Sequence, residues 1–480
     1  MAVRHGVYVS EKAYGVSAPI VIPSGVAFAV GSAPVQAAAN PAKPGIPVAC
    51  GSWEDFVNAF GYSDDWPNYT LCEFAYSAFK LYGISPVIFC NVLDPATMDE
   101  SVEAEAMTVT DHKVVLPLEA INDANLVVKK ADGTGDAYVK GTDYTVAYTD
   151  AGLAVTLIPT STHYSETSLQ IAYNAVTPES VTATVIANGF DNVERCVNTV
   201  NVIPDLLVAP GWSKEYDVAA KMTAVAKNFN GVFNAKAIID IDAAETVTPA
   251  EAANWKAQDG FTDPDQIVFW PMVKKGGKVF SGSTALACTM ARVDAANGCP
   301  AASPSNNKME IDALVVVNDD EEYEEINQTK AEADLLNYAG IVTAFNFLSS
   351  GWVCWGNYTA AMYSGSGASV QEYFIPISRM FDWVGNSLVT TFWSKLDKPL
   401  SRRLIDTIID TATVWLNGLV GAGYLLGARV EFPEAENPVE KLLQGIITVH
   451  IYMTPTAPAQ EINFTLEYDA SYVTASLVGE

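Results

Sequence analysis

At 480 residues the chain is too long for one ordinary core, and 49% hydrophobic against 17% charged residues supplies material for three or four packed units. Its 27 basic and 56 acidic side chains leave a net charge of −29, which repels phosphate backbones and anionic membrane surfaces and argues against direct nucleic-acid binding. So low a charged fraction beside that net charge leaves much of the surface neutral or apolar, as in a subunit that buries large areas in an assembly. The seven cysteines (Cys50, Cys72, Cys90, Cys196, Cys288, Cys299, Cys354) are odd in number and sit mostly among apolar residues, so buried free thiols are expected. No run of about 18 apolar residues exists and Met1–Gly6 has no apolar signal core, so no membrane insertion and cytoplasmic assembly are expected.

In chain order, Gly6-Val7-Tyr8-Val9-Ser10 is a short strand-capable arm, followed by Ala18-Pro19-Ile20-Val21-Ile22-Pro23, which its prolines keep extended. The arm either tucks onto the chain's own sheet or leaves it. Val26–Gly31 reads as a buried strand, Ser52–Gly61 as a capped helix ended by glycine, about 70–82 as a second helix, and Pro86–Val92 as a strand covered on both faces. From Thr97 to Pro178 short strands separated by Gly/Asp/Thr turns (Val114–Leu118, Asn125–Lys129, Tyr144–Tyr148, Leu153–Ile158, Leu169–Tyr173) predict an all-β insert. The acids of Asp132–Asp136 and Asp150 lack the spacing of a calcium loop and are turns by composition.

Helix at Thr182–Thr199, strand at Asp205–Pro210, helix at about 216–230, strands at Ala237–Ile241 and Gln266–Pro271 and helix at Ser283–Ala295 then predict a partly parallel sheet with helices on its faces. Gly298–Asn307 reads as a loop, and the acidic run Asp319–Glu325 as a solvated loop or a helix N-terminus. After Pro399, apolar residues at Leu404, Ile405, Ile408, Ile409, Ala412, Trp415, Leu416, Leu419 and Val420 predict a helix over about 400–421, stopped by Gly421 and Gly423. Ile446–Met453 has the composition of a central strand packed under that helix. Beyond the stiff linker Thr454–Gln460, Glu461–Tyr468 alternates polar and apolar, so it needs the edge of a sheet, its own or a neighbour's.

Catalytic chemistry finds no support. His5, His112, His163 and His450 are scattered, and C-x-x-C, G-x-S-x-G and P-loop patterns are absent. Gly421–Gly427 comes near a dinucleotide fingerprint but ends a helix where that motif opens one. We expect no enzyme, no cofactor and no metal. One feature stands against the acidity: Lys395, Lys398, Arg402 and Arg403 put four cations into nine residues at the start of the main helix, the end that disfavours them. They are either solvated cations, with an arginine pairing Asp397 or Asp406, or a patch facing an acidic partner.

Trp355-Gly356-Asn357-Tyr358-Thr359, Phe374–Asp382, Arg402-Arg403-Leu404-Ile405-Asp406, Trp415-Leu416-Asn417-Gly418 and Glu436-Asn437-Pro438, in this order, resemble the C-terminal domain of contractile phage tail sheath proteins. The resemblance is strongest over about 340–475 and loose over 100–180. It implies a structural subunit that forms hexameric rings stacked into a helical sheath around a tail tube, with baseplate and tail-terminator proteins as further partners. It also implies contraction from a metastable state without nucleotide or metal, and a virion-tail location. Terminal arms would add strands to a neighbour's sheet, here Val7, Tyr8 and Val9 and Ile462, Phe464, Leu466 and Tyr468, and the patch Lys395, Lys398, Arg402 and Arg403 would touch the tube. The expected fold is a mixed α/β and α+β multidomain chain: an N-terminal arm (1–20), an α/β domain (21–96 with 179–345) interrupted by the β insert (97–178), a C-terminal α+β domain (346–455) and a C-terminal arm (456–480). The rival is a non-contractile surface or binding module that holds a ligand on its β insert. Phage, bacteriocin and secretion-system sheaths share one physics and are not separated by the residues.

Overall fold

A computed structural model describes residues 19–349, 351–363, 365–470, 472, 476 and 477. The arm expected at Val7, Tyr8 and Val9 lies outside them.

Continuous apolar runs form the centre, because a strand covered on both faces has no reason to alternate. β1 (Ala27–Gly31), β2 (Val48–Cys50), β3 (Val87–Asn91), β4 (Leu206–Val208), β5 (Lys236–Asp240), β6 (Gln266–Phe269), β7 (Ile341–Phe345) and β8 (Val353–Trp355) make one sheet in the order β8-β7-β6-β5-β4-β1-β3-β2. From β3 to β7 its neighbours run parallel, with Phe28 opposite both Leu207 and Ile88. β2 and β8 are antiparallel edges. The expected helices cover the sheet. Trp53–Phe60 is capped by the Ser52 side chain, and Thr70–Ala75 runs on into a π-helical Tyr76–Tyr82. α1 (Gly282–Asn297) is buried along nearly its whole length. Helices at Pro249–Gln258 and Lys330–Tyr338 were not expected, although Thr248 with Glu251 and Thr329 with Glu332 form complete capping boxes at their starts.

Between Asp99 and Val176 two three-stranded sheets face each other across a separate core that includes Leu116, Val128, Leu153, Val155, Leu169 and Ile171. One of their strands, Asp99–Thr108, escapes the sequence pattern: its Glu and Ala residues favour helix, and pairing with Ser168–Val176 overrides them. The acidic run does not open a helix. It turns at Asp319 and Asp320 and continues as the outer strand Tyr323–Ile326 of a four-stranded sheet, where Glu325 meets Lys274 at 2.6 Å.

The last part of the chain begins with α2 (Ile375–Phe392) and α3 (Arg402–Gly421). α3 matches the expected helix, except that Ser401, not Pro399, opens it: the Ser401 hydroxyl accepts from the Leu404 N–H at 3.3 Å. Ile405, Ala412, Trp415 and Leu416 are buried on the expected face. Gly423, at φ +82°, then turns the chain into β9 (Leu425–Glu431), a strand the sequence did not announce. β9 pairs antiparallel with β10 (His450–Pro455) and with nothing else among the described residues.

The expected central strand at Ile446–Met453 is therefore corrected to one half of a two-stranded ribbon that starts at His450. Asn437 explains the shortfall. Its buried amide accepts from the Thr448 N–H and donates to the Thr448 carbonyl, both at 2.8 Å, and so occupies the groups a neighbouring strand would need. The alternating segment Glu461–Tyr468 is likewise not part of any sheet of this chain.

Candidate assembly interface

α2 is fastened to the central sheet by buried charge. At 3% side-chain exposure, the Arg379 guanidinium lies 2.7 Å from Asp205, just before β4, and 3.1 Å from Asp294 in the last turns of α1. Asp205 also accepts from the Gly25 and Val26 N–H groups at 3.1 and 2.7 Å, so one carboxylate ties the start of β1 to α2. Burial opposes the charge on Arg379, but Asp294 and Asp205 outweigh it and hold its pKa above the ordinary value. Burial pushes Asp294 up to about 6 against the pull of Arg379. Nearby, Lys236 at the start of β5 bridges Asp265 at 2.6 Å and Asp382 at 2.9 Å. Asn386 exchanges two hydrogen bonds with the backbone of Asn234, and Trp383 meets Trp415 of α3 at a ring separation of 5.7 Å. Arg379 and Asp382 stand inside one of the motifs that carried the resemblance, and their role is to hold the helix pair on the sheet.

The chain enters along this helix. The Ile20 N–H donates to Thr391 at 2.9 Å, and the Trp383 indole donates to the Ile22 carbonyl at 2.9 Å. At the other end Pro455 is buried, and Pro458–Glu461 form one wall of a groove of about 720 Å³ whose other wall includes Lys330, Tyr338, Trp355 and Tyr358. Past the groove the chain lies open: Ile462, Phe464, Leu466 and Tyr468 are 71%, 85%, 94% and 84% exposed. Isolated exposed apolar residues are ordinary, but a strictly alternating set of them is the pattern of a strand face, here outside any sheet of the described residues.

Among the described residues the ribbon of β9 and β10 has two open edges. Ala428, Val430, Ile451 and Met453 line its inner face, packed partly buried against the core, while Arg429, His450 and Tyr452 line the outer face. On that outer face the Arg429 guanidinium stands 3.8 Å from the Tyr452 ring centre, and the His450 ring stacks on it at 4.2 Å.

No family model matches the chain. Over 98% of its length it is 27% identical to the tail sheath protein of Burkholderia phage BcepMu, covering 97% of that protein. A shorter match, 26% identical, joins 32% of the chain to 37% of the tail sheath protein of Escherichia phage P2. Among solved structures, the sheath complex of the PVC extracellular contractile injection system in its contracted state superposes with a TM-score of 0.56 at 14% identity, over 98% of this chain and 99% of that one. The contracted helical sheath of the anti-feeding prophage gives 0.56 at 15% identity, over 97% and 99%. The crystal structure of a sheath tail protein from Desulfitobacterium hafniense gives 0.54 at 14%, over 94% and 96%. Over nearly its whole length the chain is similar to contractile tail sheath proteins.

The four cations of the sequence pattern sit on the connection from α2 to α3. Arg402 pairs with Asp406 one turn on, at 2.9 Å, as one of the two expectations had it. Among the described residues no ion pair involves Lys395, Lys398 or Arg403, and Trp393 and Leu396 beside them are 61% and 59% exposed. The corner thus joins net positive charge to exposed apolar surface on an acidic subunit. Among the described residues no group of three or more His, Cys, Asp or Glu side chains is placed to hold a metal, and no helix is long and apolar enough to cross a membrane. All seven cysteines are buried and free. The residues that sequence reasoning missed are the buried ions Asp205, Lys236 and Asp294 and the half-buried Asp265. A lone Lys at the start of an apolar strand was the one available signal, since a cation buried there requires partners.

Proposed function

We propose that this sheath protein polymerises around a tail tube by strand addition between subunits, in hexameric rings stacked helically, and that its contraction drives the tube through a cell envelope. One observation carries the reading: an alternating apolar arm, Ile462 to Tyr468, exposed on a subunit that also owns a two-stranded ribbon with unpaired edges. Four of the other sheet edges are poor acceptors. β8 is already bonded by the loop before it, with Asn306 N–H to the Cys354 carbonyl at 2.6 Å and Met309 N–H to the Trp352 carbonyl at 2.9 Å. β2 has only three residues, and the outer strands Tyr323–Ile326 and Asp99–Thr108 are lined with exposed carboxylates, a usual defence against pairing.

The arms Val7–Val9 and Ile462–Tyr468 are the linking elements in this reading, and Lys395, Lys398, Arg402 and Arg403 form the contact to an anionic tube surface. Baseplate and terminator proteins complete the partners, and the particle is a tail assembled in the host cytoplasm. No catalysis, nucleotide or metal is required, because the energy of contraction is stored in the extended assembly. A ligand-holding surface module is not favoured, since the likeness to sheath proteins spans nearly the whole chain.

Negative-stain microscopy of the purified protein, alone and then with its tube protein, tests the proposal. Striated tubes in either sample are expected; monomers in both would overturn it.

A further inference from the structure

The groove between Pro458–Glu461 and the wall of Tyr338, Trp355 and Tyr358 measures about 720 Å³. We propose that it is a recognition site for a proline-rich extended segment, and that its occupant is the chain's own linker, Pro455-Thr456-Ala457-Pro458-Ala459-Gln460. Such docking takes place within a single subunit, whatever the arm beyond Glu461 joins.

The linker has the spacing of such a ligand. Proline fixes its own φ and pushes the residue before it to extended backbone, so Pro455-Thr456-Ala457-Pro458 favours the polyproline II helix, which repeats every three residues and rises about 9 Å per turn. Pro455 and Pro458 therefore share one face. Pro455 is buried, and the Thr456 N–H donates to the Tyr424 carbonyl at 3.3 Å, which anchors the start of the linker. The shared face turns Pro458 toward the subunit as well: it is half-buried, while Ala457 and Ala459 on either side of it are exposed. Residues 456–460 belong to no helix or strand, and a polyproline helix needs no sheet edge.

The wall has the chemistry that recognises proline, since aromatic-lined grooves bind P-x-x-P segments through the flat faces of their rings. Its rings are fixed before any ligand arrives. Tyr358 stacks on Phe374 at a ring separation of 5.4 Å, and Trp355 lies 5.5 Å from Phe345. Gly356 permits this close packing: its φ is +142°, and a Cβ there would lie 3.1 Å from the Val342 Cα. Tyr338, 72% exposed, forms the outer lip. Lys330 in the wall and Glu461 at the end of the segment carry opposite charges, which favours one direction of the segment. The anchor at Pro455 also holds the segment at an effective concentration on the order of millimolar, so that even a weak groove is filled from within the same chain.

Spin labelling of the full-length chain, at concentrations below assembly, tests the docking, and the native thiols do not interfere because all are buried. A nitroxide on Ala459→Cys is compared with one on Thr465→Cys in the exposed arm. The label at 459 is expected to tumble several-fold more slowly than the label at 465. Tyr338→Ala and Pro458→Ser should each release it to the mobility seen at 465, and Tyr338→Phe, which keeps the ring, should leave it slow. Equal mobility of the two labels in the natural chain would overturn the proposal. A slow label at 459 that neither Tyr338→Ala nor Pro458→Ser releases would overturn it too, since the anchor at Pro455 would then account for the restraint by itself. The readout comes from the single subunit, so it stands or falls apart from polymerisation.

Discussion

The guanidinium of Arg379 lies 2.7 Å from the carboxylate of Asp205, 174 residues earlier in the chain. Asp294 completes the site, and all three side chains are at most 8% exposed. Removing one member of such a site costs far more than the pair contributes, because the remaining charges stay buried without a partner. Arg379→Met should lower the free energy of unfolding by about 3–5 kcal/mol. Arg379→Lys should fall between, as it keeps the charge and loses the fork. Urea denaturation with intrinsic tryptophan fluorescence measures both. A loss under about 1 kcal/mol for Arg379→Met would mean that solvent already screens the site.

Glu73 gives the fold a pH dependence. It is buried at the start of α1, accepting from the Ser281 N–H at 2.9 Å and the Thr284 hydroxyl at 2.8 Å, with Asp240 adding repulsion, and burial pushes it from 4.5 up to about 7. The folded chain thus holds this proton more tightly than the unfolded chain. Its stabilising effect is complete below about 4.5 and disappears as the pH rises through 7. Glu73→Gln keeps an acceptor without the charge. At pH 8 the variant should be more stable than the natural chain by about 3 kcal/mol, and the gap should close by pH 4.5. Thermal melts across that range give the difference directly; a gap independent of pH would refute the assignment.

Deleting Glu461–Glu480 should leave folding unchanged, since the arm's apolar residues are in solvent already. The melting temperature should shift by no more than about 2 °C. Long sheaths should no longer form. Normal polymerisation of the truncated chain would rule out the C-terminal arm as a linking element.

Reversing the corner with Lys395→Glu, Lys398→Glu and Arg403→Glu should change stability by no more than about 0.5 kcal/mol each, because none of the three makes an ion pair among the described residues. Co-sedimentation with the tube should fall sharply. For the natural chain, tube binding should weaken with salt as the attraction is screened, while contacts between acidic subunits should strengthen. Tube binding that ignores both salt and charge reversal would place the contact elsewhere.

Local physics made much of this chain legible from its residues. The capped helix after Ser52, the apolar strands β1 and β3 and the buried stripe of α3 depend on period, caps and turn residues within a few positions, and all appear where the pattern put them. The alternation of Glu461–Tyr468 is equally plain in the sequence, but no strand forms there. Tertiary structure decided what has no local signature. Asp99–Thr108 is a strand only because Ser168–Val176 pairs with it, and Ile446–Val449 is not one because the Asn437 amide takes Thr448 first. Arg379 and Asp382 look like surface charges on an amphipathic helix until Asp205, Asp294 and Lys236 arrive from distant strands and helices. The reason is common to all three. Propensity is a property of a short segment, whereas the partner of a hydrogen bond or a charge is selected by whatever the finished fold brings within about 3 Å.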